Sequence, residues 1–131
     1  MTVPLMLDAD AVRAACTPAM AVDAITAALN EGLDPAADLP RQAVSLRSGH
    51  FLLMPSEGAR GGKHVGVKIA TVAPDNPARG LPRIQASYLL YDAESLSLVA
   101  TLDGTALTTL RTPAVSVAAV ASRLMAGSGP V

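Results

Sequence analysis

Four basic residues in this sequence stand beside small neighbours, so each places a charge next to room for a ligand. In the run from Val65 to Ala73 side chains alternate between faces. Lys68 therefore shares its face with Gly66 and Ala70, while Val65, Val67 and Ile69 point the other way. Small neighbours leave space for an anion, although the same pattern fits a solvated edge-strand lysine. Arg41 follows Pro40 and shares a face with Ala43 and Ser45. Its planar fork suits a carboxylate, bidentate, better than a lysine would. Taken alone it reads as a surface arginine at a strand end. Arg83 follows Pro82 on a face with Gln85 and Ser87, a placement that suits an anion or plain water. Arg111 lies among Thr108, Thr109 and Thr112. If Pro113 starts a new helix, free amides near Thr112 and Ala114 form an anion-binding N-terminus fit for a phosphate-sized group.

Other chemistry-bearing residues are isolated. His50 and His64 flank turns and read as surface residues. Glu31, Glu57 and Glu94 sit in turn-like contexts, and no Ser-His-Asp, metal-ligand or paired-carboxylate spacing emerges. Cys16, the only cysteine, has no partner for a disulfide and reads as a small buried helix residue. Gly127-Ser128-Gly129 resembles the start of a dinucleotide fingerprint, but it follows a helical pattern and lacks the later glycine, so 127–131 reads as a linker.

The elements that must position the four cations follow from pattern. Asp8 caps a short helical turn through Val12 and Ala15. Thr17-Pro18 then starts a helix to about Asn30, with Val22, Ile25 and Leu29 on one stripe and Gly32 as the stop. A loop from Leu33 to Pro40 leads to a hairpin, Gln42 to Leu46 and His50 to Met54, which Pro55 should end. Further strands are expected over Val65–Ala73, Arg83–Tyr91 and Leu98–Leu102, the first two separated by the loop from Pro74 to Gly80. From Thr105 to Met125 the pattern is helical and rich in small residues, with Pro113 either kinking one helix or starting a second. The expected class is α+β: an N-terminal helix, a mixed or antiparallel sheet of about five strands, and a C-terminal small-residue helix.

Composition narrows the partners. The 131 residues are 50% hydrophobic and 16% charged, enough apolar content for one ordinary core, built mainly from Ala, Val and Leu. A net charge of −1 gives no field to hold a nucleic acid or an anionic membrane, and one Phe, two Tyr and no Trp offer few plates for stacking bases. The apolar runs are too short to span a bilayer and the first residues lack a signal-peptide pattern, so a cytoplasmic protein is expected.

Several segments, in order, resemble the ornithine cyclodeaminase and mu-crystallin family, which also includes alanine dehydrogenases of that fold and ketimine reductases. These are Pro40-Arg41, Leu53-Met54-Pro55, Gly66-Val67-Lys68, the loop Pro74 to Pro82, Tyr91-Asp92 and above all Leu102 to Thr112. The resemblance implies an NAD- or NADP-dependent protein acting on a small amino or imino acid. It implies that Arg41 and Lys68 hold the substrate carboxylate. Arg111 would stand at the junction of substrate and cofactor, with Arg83 and Thr112 on the cofactor side. It also implies a homodimer, with residues 1–126 forming the substrate-binding and dimerisation domain. Leu52 departs from the pattern: ornithine-specific enzymes resemble each other in placing a carboxylate there, which favours the wider oxidoreductase class over ornithine cyclisation.

The family's Rossmann domain, with its glycine fingerprint and catalytic aspartate, is not found in these residues. The resemblance therefore implies a truncated product, a fragment or a stand-alone relic, without hydride transfer of its own. The alternative function is a non-catalytic ligand-binding or oligomerisation module of mu-crystallin type.

Overall fold

A computed structural model describes residues 3–58 and 61–127. Six strands form one sheet: β1 Leu5–Leu7, β2 Gln42–Leu46, β3 Gly49–Ser56, β4 His64–Val72, β5 Ile84–Asp92 and β6 Leu98–Asp103. Three helices accompany it: α1 Ala9–Ala15, α2 Pro18–Asn30 and α3 Gly104–Gly127. The sheet order is β1-β6-β5-β4-β3-β2, antiparallel throughout except that β1 runs parallel to β6. The architecture is the expected α+β, with a six-stranded mixed sheet in place of five strands.

The added strand is β1. Three residues carry too little alternation to announce a strand, and Leu5, Met6 and Leu7 take that form because the edge of β6 offers them hydrogen bonds. The helix starts follow their local chemistry: Asp8 Oδ1 accepts from Ala11 N at 2.9 Å, and Thr17 Oγ1 accepts from Met20 N at 3.2 Å with Pro18 next in line. Gly32, at φ +96°, lets the chain leave α2.

Pro55 does not end β3, which continues through Ser56. By then β2 has ended, since Gln42 pairs with Leu53, so one side of Pro55 faces no strand and its missing N–H breaks no ladder there. The hairpin before it depends on Gly49. A Cβ there would collide with the Val72 carbonyl of β4, and only glycine permits that approach.

The helices cover one sheet face. Gly104, the first residue of α3, lies so close to Ala86 of β5 that a Cβ would stand 2.8 Å from its backbone. Around that contact the buried side chains are small: Ala70 and Ala100 on the sheet, Ala21 on α2, and Ala106, Ala114 and Ala118 on α3, joined by Val12. Alanine stripes let α2 and α3 approach closely, which replaces the aromatic bulk this composition lacks.

Pro113 lies inside α3, which is continuous from Gly104 to Gly127. The helix start considered at Thr112 is therefore absent. Pro113 costs α3 one hydrogen bond, to the Thr109 carbonyl, and the turns on either side carry it through. The true N-terminus is at Gly104, where Asp103 Oδ1 accepts from Ala106 N at 2.7 Å. Of the linker expected over 127–131, Gly127 is the last residue of α3 and the rest lies outside the described residues.

Candidate functional site

Strand register assembles the site. Lys68 of β4 pairs with Met54 of β3 on one side and Tyr88 of β5 on the other, and Tyr88 pairs with Leu102 of β6. Arg41 directly precedes β2, and continuing the Ala43–Leu52 and Gln42–Leu53 pairs by one residue brings it opposite Met54. Arg41, Met54, Lys68, Tyr88 and Leu102 thus form one rank across the sheet. Even-numbered residues of β4 and β5 face the helices, as Ala70 and Ala86 show, so the rank points under α3.

From above, α3 supplies Thr108 and Arg111, three residues apart and hence neighbours on one helix face. Lys68 Nζ donates to Thr108 Oγ1 at 3.5 Å, and Thr108 Oγ1 donates to the Gly104 carbonyl at 2.7 Å. Arg111 and Arg41 both act electrostatically on Lys68. Partial burial, then Arg111, then Arg41 hold the Lys68 ammonium below the usual lysine pKa. Burial raises the Tyr88 phenol above its ordinary value, and Arg111 offsets part of that rise. At neutral pH the patch holds cations and a neutral phenol.

Such an arrangement attracts an anion with two or more acceptor atoms, because a shared carboxylate relieves repulsion among all three charges. Gly66 and Ala70, the small neighbours of Lys68, are both buried, and the space a side chain on Gly66 would fill is taken by the Tyr88 ring. Arg111 also lines a cleft of about 1100 Å³ between the end of α2, the segment after β3 and the Val115–Ala119 side of α3. Lys68, Arg41, Arg83 and Thr112 do not line that cleft.

Arg83 lies elsewhere. It is exposed, precedes β5, and by alternation follows Gln85 and Ser87 onto the opposite face, roughly 16 Å along the strand from Tyr88. Thr112 is exposed on α3 next to Arg111, and its carbonyl accepts from Ser116 Oγ at 3.5 Å. Leu52 is on the Lys68 face, paired with Ala70. His64 pairs with Asp92 at the far end of β4. Cys16 and Arg13 border a separate, mainly apolar hollow of about 390 Å³ between the α1–α2 elbow and α3. Among the described residues no three His, Cys, Asp or Glu side chains gather as metal ligands, and no single helix is long and apolar enough to cross a membrane.

Sequence reasoning missed two members of the site, Thr108 and Tyr88. Thr108 carried a usable signal in its spacing from Arg111. Tyr88 carried none, because its pairing with Lys68 is a fact of register.

Comparison with known proteins bears on the family and the fold. Residues 2–129 match the Ornithine cyclodeaminase/mu-crystallin family. Protein SAR DEFICIENT 4 of Arabidopsis thaliana is 42% identical over 67 residues, covering 50% of this chain and 21% of that protein. Among solved structures, the Thermococcus litoralis Δ1-pyrroline-2-carboxylate reductase with NADH and L-proline superposes with a TM-score of 0.72 and 28% identity, over 86% of this chain and 35% of that one. An archaeal alanine dehydrogenase dimer with bound NAD gives 0.70 and 26%, over 86% and 34%. A lysine cyclodeaminase described for recognition of L-lysine, L-ornithine and L-2,4-diaminobutyric acid gives 0.66 and 29%, over 88% and 37%. This chain spans about a third of the length of these solved proteins and about a fifth of the Arabidopsis one. With the family model matching nearly the whole chain, the chain belongs to the ornithine cyclodeaminase/mu-crystallin family.

Proposed function

We propose that this chain is the substrate grip of a nicotinamide-dependent enzyme acting on a small amino or imino acid. Arg41, Lys68 and Arg111 receive the substrate carboxylate. The observation that carries this reading is the rank that sets Arg41 and Lys68 on one sheet face, beneath Thr108 and Arg111 of α3. Crowding three cations is unfavourable without an anion between them. Solved relatives that hold NAD with an alanine dehydrogenase, or NADH with L-proline, support the same class of ligand.

The residues described here fit a nicotinamide nucleotide along one edge only. Arg111 offers it charge and Thr112 a hydroxyl, while Arg83, before β5 and on the other face of the sheet, stands apart from them. No glycine fingerprint for a pyrophosphate stands among the described residues, and α3 runs through Pro113 without opening free amides. When bound, the nicotinamide supplies or takes the hydride at the carbon bearing the substrate nitrogen. This chain's part is to fix the carboxylate, and with it the direction in which that carbon faces.

The second face of the sheet supports the proposal of a homodimer. Val44 and Phe51 pair across β2 and β3, and Leu53, Val67, Ile69 and Leu89 continue an apolar surface on the side away from the helices. Val44, Leu46 and Phe51 are exposed there.

The grip is tested by NMR titration of the chain with L-proline and with acetate. Both should shift backbone resonances around Lys68 and Thr108, and Lys68→Met or Arg111→Ala should weaken both ligands about tenfold or more. Equal binding by the parent and both variants would sink the assignment.

A further inference from the structure

The cations of the grip are donors only, since neither a guanidinium nor an ammonium has a lone pair to offer. An amino or imino acid held by its carboxylate brings an N–H one atom away, and that N–H needs an acceptor. Thr108 Oγ1 has given its proton to Gly104 and one lone pair to Lys68, which leaves it a single lone pair. Tyr88 is different. It stands across from Lys68, and its ring lies over Gly66, where a Cβ would run into the phenol. The ring is therefore fixed by the floor of the site. Its hydroxyl is not a buried orphan and makes no hydrogen bond to another described residue, which leaves it open to a ligand.

We propose that Tyr88 is the specificity-determining contact of this site: its hydroxyl accepts the N–H of the bound amino or imino acid, and its ring walls a pocket for an uncharged remainder. This rests on the carboxylate grip proposed above. The chemistry of this sheet face supports the second half, for the positions flanking Lys68 and Tyr88 on it are Leu52, Met54, Ala70, Ala86 and Leu102. A second ammonium on the ligand would meet no carboxylate among them. Burial keeps the phenol neutral, so it retains both its proton and its lone pairs.

The sequence provides a clean reporter, because it has two tyrosines and no tryptophan. In a Tyr91→Phe background all tyrosine absorbance and fluorescence come from Tyr88. Three probes are titrated: L-proline, acetate and L-ornithine. L-Proline should perturb the Tyr88 spectrum more than acetate does. Tyr88→Phe, followed by NMR, should weaken L-proline about fivefold to tenfold while acetate binding stays within twofold. L-Ornithine should bind more weakly than L-proline.

Unchanged L-proline affinity in Tyr88→Phe overturns the contact, and so does an equal loss of L-proline and acetate, which marks a structural role. L-Ornithine binding as tightly as L-proline overturns the uncharged pocket. A parent chain that binds neither acetate nor L-proline overturns the grip itself, and Tyr88's role with it.

Discussion

Lys68 and Thr108, 40 residues apart in the chain, meet at 3.5 Å between Nζ and Oγ1 and so fasten the third helix to the fourth strand at the centre of the site. Thr108 also donates to Gly104, the residue whose missing side chain lets the helix approach Ala86. The same short stretch thus sets the height of α3 and the place of Arg111. Thr108→Val keeps the shape and removes the acceptor. It should cost about 0.5–1.5 kcal/mol in chemical denaturation and weaken acetate binding severalfold, because Lys68 loses its orientation. An affinity equal to the parent's would show that Lys68 is placed by the strand alone.

Lys68 should titrate below the usual lysine range, and the cause can be dissected. Burial is the largest contribution, followed by Arg111 and Arg41. Arg111→Ala should therefore raise the Lys68 pKa, and Arg41→Ala should raise it less, neither restoring the full ordinary value. Carbon-13 NMR of the lysine side chain reads this directly. The sign for stability follows from linkage. A cation whose folded pKa is depressed leaves the unfolded chain holding more protons between the folded and unfolded values, so stability contributed by Lys68 rises with pH across that window. Carboxylate binding runs the other way and fades as Lys68 loses its proton. A folded pKa at or above the ordinary value contradicts both statements.

Gly66→Ala tests the floor of the site. The new methyl would run into the Tyr88 ring, and overpacking of this kind costs about 1–3 kcal/mol. In Tyr88→Ala the obstruction is gone. The double variant should therefore be more stable than the sum of the two single losses, with a coupling of about 1 kcal/mol or more in a denaturation cycle. Simple additivity would mean that Gly66 is required for another reason.

The folding pattern was legible where local chemistry decides it. Caps at Asp8 and Thr17, alternation through Val65 to Ala73, and the small-residue run after Gly104 each name their element without tertiary help. Where a partner decides, the sequence was silent. Leu5–Leu7 is a strand because β6 has a free edge, and β3 crosses Pro55 because β2 has stopped. Arg41, Lys68 and Arg111 stood out by their small neighbours, and the register brings them to one place. Arg83 stood out for the same reason, yet alternation along β5 sends it to the other face. Neighbouring residue sizes report the room around a cation and carry no information on which other cations share it.

The open sheet face makes the last prediction. Six strands at about 4.8 Å spacing and strands of about 20 Å give on the order of 500 Å² of planar area, which side-chain relief enlarges toward the roughly 800 Å² per partner of a standard interface. Phe51 and Val67 lie within it, and Phe51 is 36% exposed although it is the only phenylalanine in the chain. Leaving that ring and its aliphatic neighbours in water forgoes about 25 cal/mol for each Å² that a second copy would cover. Val67→Arg should therefore give a monomer by light scattering at concentrations where the parent is a dimer. Its circular dichroism should be unchanged, because among the described residues no helix or strand packs on the open face for a long side chain to meet. Acetate binding should persist in the monomer, since Arg41, Lys68 and Arg111 all lie on the helix side. A monomeric parent would remove this face as a self-association surface, and a Val67→Arg dimer would move the interface elsewhere.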